Sequence, residues 1–197
     1  MQIAAIVLAA GLSTRMGWNK LVEEIGGQPM VRRVVGAALA SRARPLIVVL
    51  GNEAEAVRGV LAGLDVQTVE NPDYREGLGA SIRTGISAVP DSCAGALIAL
   101  GDMPWIDANL IDRTIASFAP EEGRAICVAT HCGQRGHPVL FARRFFPELL
   151  ALTGDAGAKR IVELHESLIC EIEAGDDAPL IDVDTPEALT KFRNSAI

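Results

Sequence analysis

The stretch IAAIVLAAGLSTRMGWNK, residues 3–20, decides the fold. Its first part, residues 3–9, is apolar throughout and is followed at once by Gly11, which is typical of a strand that is buried on both faces. A loop of small residues comes next and carries Arg15 and Lys20 near its two ends. Strands in which polar and apolar residues do not alternate are typical of parallel sheets that helices cover on both sides.

The remaining chain alternates apolar runs with amphipathic segments, and neither a repeat nor a linker divides it, so we expect one domain over residues 1–197. The apolar runs predict strands at 45–50, 66–69, 94–100, 125–130, 137–141 and 167–173. The segments between them predict helices at 29–40, 52–61, 77–88, 107–118, 156–164 and 186–192. This alternation indicates an α/β fold with a mostly parallel sheet.

The composition excludes several classes of protein. A net charge of −7 without a block of basic residues argues against sequence-independent nucleic-acid binding. The apolar run near the N-terminus is too short to span a bilayer and lacks the charged flank of a signal peptide, so we expect a cytoplasmic protein that does not bind membranes. The four cysteines contain no CxxC pair and are expected to be reduced.

Residues 8–20 have the features of a polyphosphate-binding loop. Small residues let the backbone approach a ligand, successive N–H groups can surround an anion, and Arg15 and Lys20 add positive charge. The segment matches neither a Walker A loop nor a GxGxxG fingerprint. A solvated glycine-rich connection is the alternative, although the combination of strand, AAG, Arg and Lys is more specific than that.

Two acidic segments of the chain contain candidate metal ligands. Asp102 follows the expected strand 94–100, and ligands bind beyond the carboxyl ends of such strands. Asp182 and Asp184 are two residues apart and face the same way in an extended segment. Carboxylates of this kind hold Mg²⁺ on a triphosphate. The alternatives are a turn residue at Asp102 and a helix cap at Asp184.

The loop at 8–20 resembles the signature of the MobA-like nucleotidyltransferases, LAAGxSxRMGxxK. Six further segments resemble the family's motifs in the same order: GGQPM (26–30), NPDYREGLGAS (71–81), GDMP (101–104), GHPVLF (136–141), GDAGAK (154–159) and DVDTP (182–186). Within the family the chain is most similar to the molybdenum cofactor cytidylyltransferases, because these tend to read LAAG where guanylyltransferases read LAGG.

The resemblance implies a Rossmann-like, three-layer α/β/α nucleotidyltransferase domain. It implies transfer of CMP from CTP to the terminal phosphate of a molybdopterin-type cofactor, with release of pyrophosphate and with Mg²⁺ as cofactor. Transient contact with a molybdoenzyme or its chaperone is a further expectation. The alternatives are a guanylyltransferase or other NTP transferase with a different phosphorylated acceptor, and a non-catalytic cofactor carrier or insertion chaperone.

The same resemblance assigns roles to individual residues. The catalytic residues are Lys20, Arg15 and Asp102, and the metal ligands are Asp102 and Asp184, with Asp182 either near the metal or merely on the surface. The nucleotide site consists of Leu8, Ala9, Ala10, Gly11, Ser13, Arg15, Lys20, Gly77 and Ser81.

The acceptor site implied by the resemblance consists of His137, Asp155 and Lys159. Lys159 stands where the family usually has Arg, and a lysine cannot bind phosphate through two parallel hydrogen bonds. On the residues alone, His137 can equally be a turn residue, and Asp155 and Lys159 a surface pair one helical turn apart. Gly77 and Ser81 can serve packing, and Trp18 can stack on a flat substrate or anchor its loop.

Overall fold

The computed structural model describes residues 1–155 and 157–195, and it describes side chains as far as Lys191 except at Ala156. The described residues form the strands β1 (Gln2–Ala9), β2 (Glu24–Ile25), β3 (Gln28–Pro29), β4 (Leu46–Leu50), β5 (Gln67–Glu70), β6 (Cys93–Leu100), β7 (Ile126–His131), β8 (Gln134–Ala142) and β9 (Ile169–Glu173). The helices are α1 (Met30–Ala40), α2 (Ala54–Val60), α3 (Leu78–Ser87), α4 (Ala108–Ser117), α5 (Phe146–Leu150), α6 (Lys159–Leu164) and α7 (Pro186–Ser195).

Seven strands form one sheet in the order β5-β4-β1-β6-β8-β7-β9, and β2 pairs with β3 in a small separate hairpin. In the main sheet, β1 is parallel to β4 and β6, β4 is parallel to β5, and β7 is parallel to β9. The exception is β8, which is antiparallel to both of its neighbours. The predicted α/β fold with a mostly parallel sheet is therefore confirmed.

The core lies against both faces of the central strands. Residues 3–9 of β1 and all of β4 are buried. Helix α1 packs against α4 and helix α3 against α5, and both α1 and α3 contact β1. Helix α3 passes so close to β1 that a Cβ atom at Gly85 would lie 2.6 Å from Cγ2 of Ile6. The glycines of α3 therefore permit close packing of the helix on the sheet.

The structure departs from the sequence expectations at element ends and in short elements. Helix α2 begins at Ala54 after Glu53, which has a left-handed φ of 49°, so the helix starts two residues later than predicted. Helix α6 begins at Lys159, and Ala156, where we expected its start, lies outside the described residues. The hairpin β2–β3 and helix α5 were not predicted, because two-residue strands and a five-residue helix are too short to produce a periodic pattern.

No helix among the described residues is long and apolar enough to cross a membrane.

The stability of the sheet should depend strongly on Phe141, which is fully buried in β8 and meets the ring of Phe145 edge to face. We expect Phe141→Ala to lower the free energy of unfolding by about 3–5 kcal/mol, because it removes buried apolar surface and leaves a cavity. Urea denaturation followed by circular dichroism measures the change. The control is Leu164→Ala, at a side chain that is 65% exposed, which should change stability by less than about 0.5 kcal/mol. Similar losses in the two variants would contradict this account of the core.

Candidate active site

The loop after β1 is folded into a compact turn that positions Lys20. The carbonyl oxygen of Ser13 accepts hydrogen bonds from the N–H groups of Met16 (2.9 Å) and Gly17 (3.2 Å). The hydroxyl oxygen of Ser13 accepts a bond from the backbone N–H of Lys20 at 3.4 Å. The Asn19 side chain caps the following turn by accepting from the N–H of Leu21 at 3.1 Å. These local bonds fix the direction in which Lys20 leaves the loop.

A small apolar cluster anchors the same loop to the C-terminal part of the chain. Met16 is buried with Ile25 and Met30, and Val183 and Leu189 complete the cluster. Since Met16 comes from the loop and Val183 lies beside the acidic segment, this packing brings the loop to the carboxylates.

Lys20 lies between Asp102 and Asp184, the two carboxylates that we predicted as metal ligands. Its Nζ atom is 2.7 Å from Oδ2 of Asp102 and contacts Oδ1 of Asp184. Arg15 contacts the other oxygen of Asp184, Oδ2, at 2.7 Å. The backbone N–H of Val183 donates to the carbonyl of Asp102 at 3.1 Å, which joins the segment after β6 to the one before α7. Four predicted residues, far apart in the chain, thus meet at the carboxyl end of the sheet.

Burial and charge act against each other in this cluster. Burial disfavours the ammonium of Lys20, but the carboxylates of Asp102 and Asp184 outweigh that effect and raise its pKa. Burial also disfavours the charged form of Asp184, yet Lys20 and Arg15 hold its pKa below the usual value. For Asp182, burial and the nearby negative charges of Asp184 and Asp102 raise the pKa. Lys20 is therefore charged at neutral pH, and together with Arg15 it balances the two carboxylates that it contacts.

A cavity of about 460 Å³ opens beside this cluster. The predicted residues that line it are Leu8, Ala10, Gly11, Ser13, Arg15, Lys20, Gly77, Ser81 and Asp102. Ala9 was predicted to bind the nucleotide but is buried within β1. Residues that sequence reasoning missed also line the cavity: Leu12, Thr14, Leu21, Tyr74, Arg75, Leu78 and Leu100. Tyr74 and Arg75 could have been predicted to line the cavity, because both lie inside the family motif at 71–81.

The far wall of this cavity is the start of α3, held by the segment before α6. Gly77 has a φ of 101°, and a Cβ atom there would collide with the Asp155 carboxylate and lie 2.9 Å from the carbonyl oxygen of Gly154. The N–H of Gly79 donates to that carbonyl at 2.9 Å. Asp155, which was predicted to bind the acceptor, therefore lines the larger cavity.

Ser81 on α3 is oriented by a buried partner. The side-chain amide of Asn71 donates to the Ser81 hydroxyl at 3.1 Å, and the amide oxygen of Asn71 accepts from the N–H of Asp73 at 3.0 Å. The guanidinium of Arg75 lies over the ring of Tyr74, 5.2 Å from its centre. This end of the cavity offers a hydroxyl, an aromatic ring with a guanidinium over it, and the backbone at the start of α3.

A second cavity of about 280 Å³ adjoins the first and shares Leu8, Leu78 and Leu100 with it. Its floor is mostly apolar, and His137 and Lys159 are among its polar lining residues. Burial lowers the pKa of His137, partly offset by the Ile98 carbonyl at 3.4 Å from Nδ1 and by the charge of Asp102. His137 is therefore neutral near pH 7.

The two cationic side chains that line the second cavity, Arg135 and Lys159, differ in how many hydrogen bonds to carboxylates hold them in place. The guanidinium of Arg135 is fully engaged, through NH1 and NH2 with Glu166 and through Nε with Glu171. Lys159 is 82% exposed and lies 3.8 Å from a carboxylate oxygen of Glu163. Lys159 can therefore turn toward an anionic ligand at little cost, whereas Arg135 cannot. Trp18 is 46% exposed on its loop, so it does not serve as a core anchor.

The cluster of Lys20, Asp102 and Asp184 fits a divalent cation in part. The Oδ1 atom of Asp102 is buried and has no hydrogen-bond partner among the described residues, as expected for an oxygen reserved for another ligand. Within the described ranges, 1–155 and 157–195, no three His, Cys, Asp or Glu side chains converge as a complete metal site. Mg²⁺ normally takes one or two carboxylates and completes its shell with phosphate and water oxygens. Asp102, which lines the larger cavity, and Asp184, which shares the Lys20 ammonium with it, match that requirement.

Comparison with known proteins assigns the family. The MobA-like NTP transferase domain model matches residues 5–168. The purine catabolism protein PucB of Bacillus subtilis is 28% identical over 98% of this chain and 97% of its own length. The bifunctional protein GlmU of Rubrobacter xylanophilus is 35% identical over 85% of this chain, which spans only 33% of that protein.

Solved structures agree with the fold. Rv0371c of Mycobacterium tuberculosis has a TM-score of 0.87 and 29% identity, with 98% of each chain covered, and it has also been solved in complex with manganese. The molybdopterin-guanine dinucleotide biosynthesis protein A of Archaeoglobus fulgidus has a TM-score of 0.71 at 15% identity over 99% of this chain and 98% of that one, which supports the shared fold alone. Because the family model matches most of the sequence, this chain belongs to the MobA-like NTP transferases.

Proposed function

We propose that this protein transfers CMP from CTP to the terminal phosphate of a molybdopterin-type molybdenum cofactor and releases pyrophosphate. The observation that carries the reaction type is the cluster of Lys20, Asp102 and Asp184 beside the larger of two adjoining cavities, which Lys20 and Asp102 line. Nucleotidyl transfer needs a triphosphate, a second phosphorylated substrate and concentrated positive charge between them. A cytoplasmic location and transient contact with a molybdoenzyme or its chaperone belong to the same proposal.

The larger cavity takes the nucleotide. The triphosphate lies along the loop at 10–15, where backbone N–H groups, Arg15 and Lys20 bind its oxygens. The base reaches the α3 end, near Gly77 and Ser81. The LAAG sequence at 8–11 favours cytosine, because it follows the cytidylyltransferase form of the family motif.

The smaller cavity takes the acceptor. Its apolar walls suit a flat ring system, and Lys159 can meet an anionic group at the rim. Neutral His137 offers a ring nitrogen for a hydrogen bond to the acceptor. Asp155 lies on the wall of the nucleotide cavity, so its effect on the acceptor is to shape the boundary between the two sites.

The reaction is an in-line displacement at the α-phosphorus. An oxygen of the acceptor phosphate forms the new bond, the bond from the α-phosphorus to the bridging oxygen breaks, and pyrophosphate leaves. The attacking oxygen is already ionised, so the chain's residues position and neutralise charge instead of removing a proton. Asp102 and Asp184 would hold Mg²⁺, which supplies Lewis-acid stabilisation of the phosphate charge when bound. The manganese complex of Rv0371c supports a divalent metal in this family member.

Pyrophosphate release tests the reaction directly. We expect release with Mg²⁺ and CTP that depends on molybdenum-loaded molybdopterin, because both cavities must be filled for the displacement. Each of the four NTPs is assayed with and without the pterin. Pterin-dependent release with GTP would contradict the base assignment and favour a guanylyltransferase. Tight nucleotide binding without release would contradict the acceptor assignment and favour another phosphorylated acceptor or a cofactor carrier.

Lys20 is expected to stabilise the charge that develops on the phosphates. We expect Lys20→Ala to lower kcat by about 100-fold or more, the usual loss when one preorganised charge-stabilising donor is removed. The matched control is Arg42→Ala, which removes an exposed cation that pairs with Asp112, away from the cavities. Steady-state pyrophosphate release measures both variants, and circular dichroism checks that they are folded. Near-normal turnover in Lys20→Ala would refute the assignment.

Gly77 should be essential for the shape of the nucleotide cavity. We expect Gly77→Ala to weaken binding of a non-hydrolysable CTP analogue about tenfold or more, because alanine strains the positive φ and displaces Gly154 and Asp155. Gly59→Ala is the control, since Gly59 lies in the exposed helix α2 with open space around its Cβ position. Isothermal titration calorimetry measures both affinities. Equal affinities would show that the start of α3 does not contact the nucleotide.

A further inference from the structure

The carboxylates of Asp102 and Asp184 already share a cation that belongs to the protein. The Nζ atom of Lys20 lies 2.7 Å from Oδ2 of Asp102 and contacts Oδ1 of Asp184, while Arg15 contacts Oδ2 of Asp184 at 2.7 Å. Only Oδ1 of Asp102 has no partner among the described residues. An ion that used Oδ2 of Asp102 and Oδ1 of Asp184 would compete with the ammonium group for those two oxygens.

The two cations near Asp184 are not equivalent. The side chain of Lys20 is 9% exposed, so solvent and salt screen its charge weakly. The side chain of Arg15 is 72% exposed, so its charge is largely screened and it can move into solvent. A divalent ion that approaches the carboxylates is therefore opposed mainly by Lys20.

A triphosphate can draw Lys20 away from the carboxylates. Lys20 and the backbone of 10–15 line the same cavity, so phosphate oxygens bound there lie within reach of a flexible ammonium group. When Lys20 turns to the phosphates, Asp102 loses the ammonium charge and Asp184 keeps only the screened charge of Arg15. Leaving such charges uncompensated is costly, which favours the binding of another cation.

We propose, on the basis of the proposed function, that Lys20 is the resident cation of the nucleotide-free protein and blocks the divalent metal site. The site between Asp102 and Asp184 then forms only when an NTP has taken over the ammonium group. Divalent metal and nucleotide consequently bind together, and the free protein holds the metal weakly. Lys20 thus has two partners in turn, the carboxylates before binding and the phosphates after it.

The test is Mn²⁺ binding in the absence of nucleotide, followed by electron paramagnetic resonance of the free ion. We expect Lys20→Met to bind Mn²⁺ at least about tenfold more tightly than the wild type, although the same variant loses activity. Lys20→Arg keeps a cation at the position and should bind Mn²⁺ as weakly as the wild type. Arg15→Met should change the affinity by less than about threefold, because its charge is screened.

Two further measurements establish where the Mn²⁺ ion binds and how tightly. In the double variant Lys20→Met/Asp102→Asn the gain in Mn²⁺ affinity should disappear, which places the ion at these carboxylates. If Lys20→Met is unstable without metal, the rise of its melting temperature with Mn²⁺ concentration gives the affinity through binding linkage. Mn²⁺ affinity in Lys20→Met equal to or lower than that of the wild type would overturn the proposal. Since no pterin or turnover is involved, the outcome does not depend on the proposed cytidylyl transfer.

Discussion

The parallel alignment of β1 with β4 and β6 is the constraint on which the rest of the structure depends. β1 is apolar on both faces, so it can be stable only in the middle of a sheet that is covered on both sides. Parallel neighbours place the carboxyl ends of all three strands at one edge. The loop after Ala9 and the turn after Leu100 must then face each other across that edge, and this proximity creates the site.

Within the site, the ion pairs of Lys20 join segments that are more than eighty residues apart in the chain. The two carboxylates would repel each other without a cation between them, so Lys20 helps to hold the edge of the sheet and the start of α7 together. The apolar cluster that contains Met16 and Val183 packs at the same junction and stabilises it. Under the proposed function, the same lysine contributes to structural stability and to the reaction.

In the proposed function, each of the two cavities binds one of the two substrates. The nucleotide cavity has backbone N–H groups, cations and carboxylates, and these features serve any nucleoside triphosphate. The acceptor cavity has mostly apolar walls with a few polar groups at its rim, and its shape depends on β8, α3 and α6. Relatives such as PucB and GlmU differ in name and in length while sharing the family's domain. In the proposed function, the nucleotide and the acceptor thus lie on different sides of the wall formed by Leu8, Leu78 and Leu100.

The sequence by itself determined the order of the main elements and predicted the loop residues that line the larger cavity, because buried strands and a glycine-rich loop with Arg15 and Lys20 leave a strong local pattern. It did not determine the ends of α2 and α6 or the short elements β2, β3 and α5, whose formation depends on packing. Only the tertiary structure decided that Asp155 faces the nucleotide cavity, that Tyr74 and Arg75 line it, and that Lys20 stands between Asp102 and Asp184. Each of these findings depends on how close segments that are remote in the chain lie in space. The sheet topology sets those distances, and local sequence propensity does not encode them.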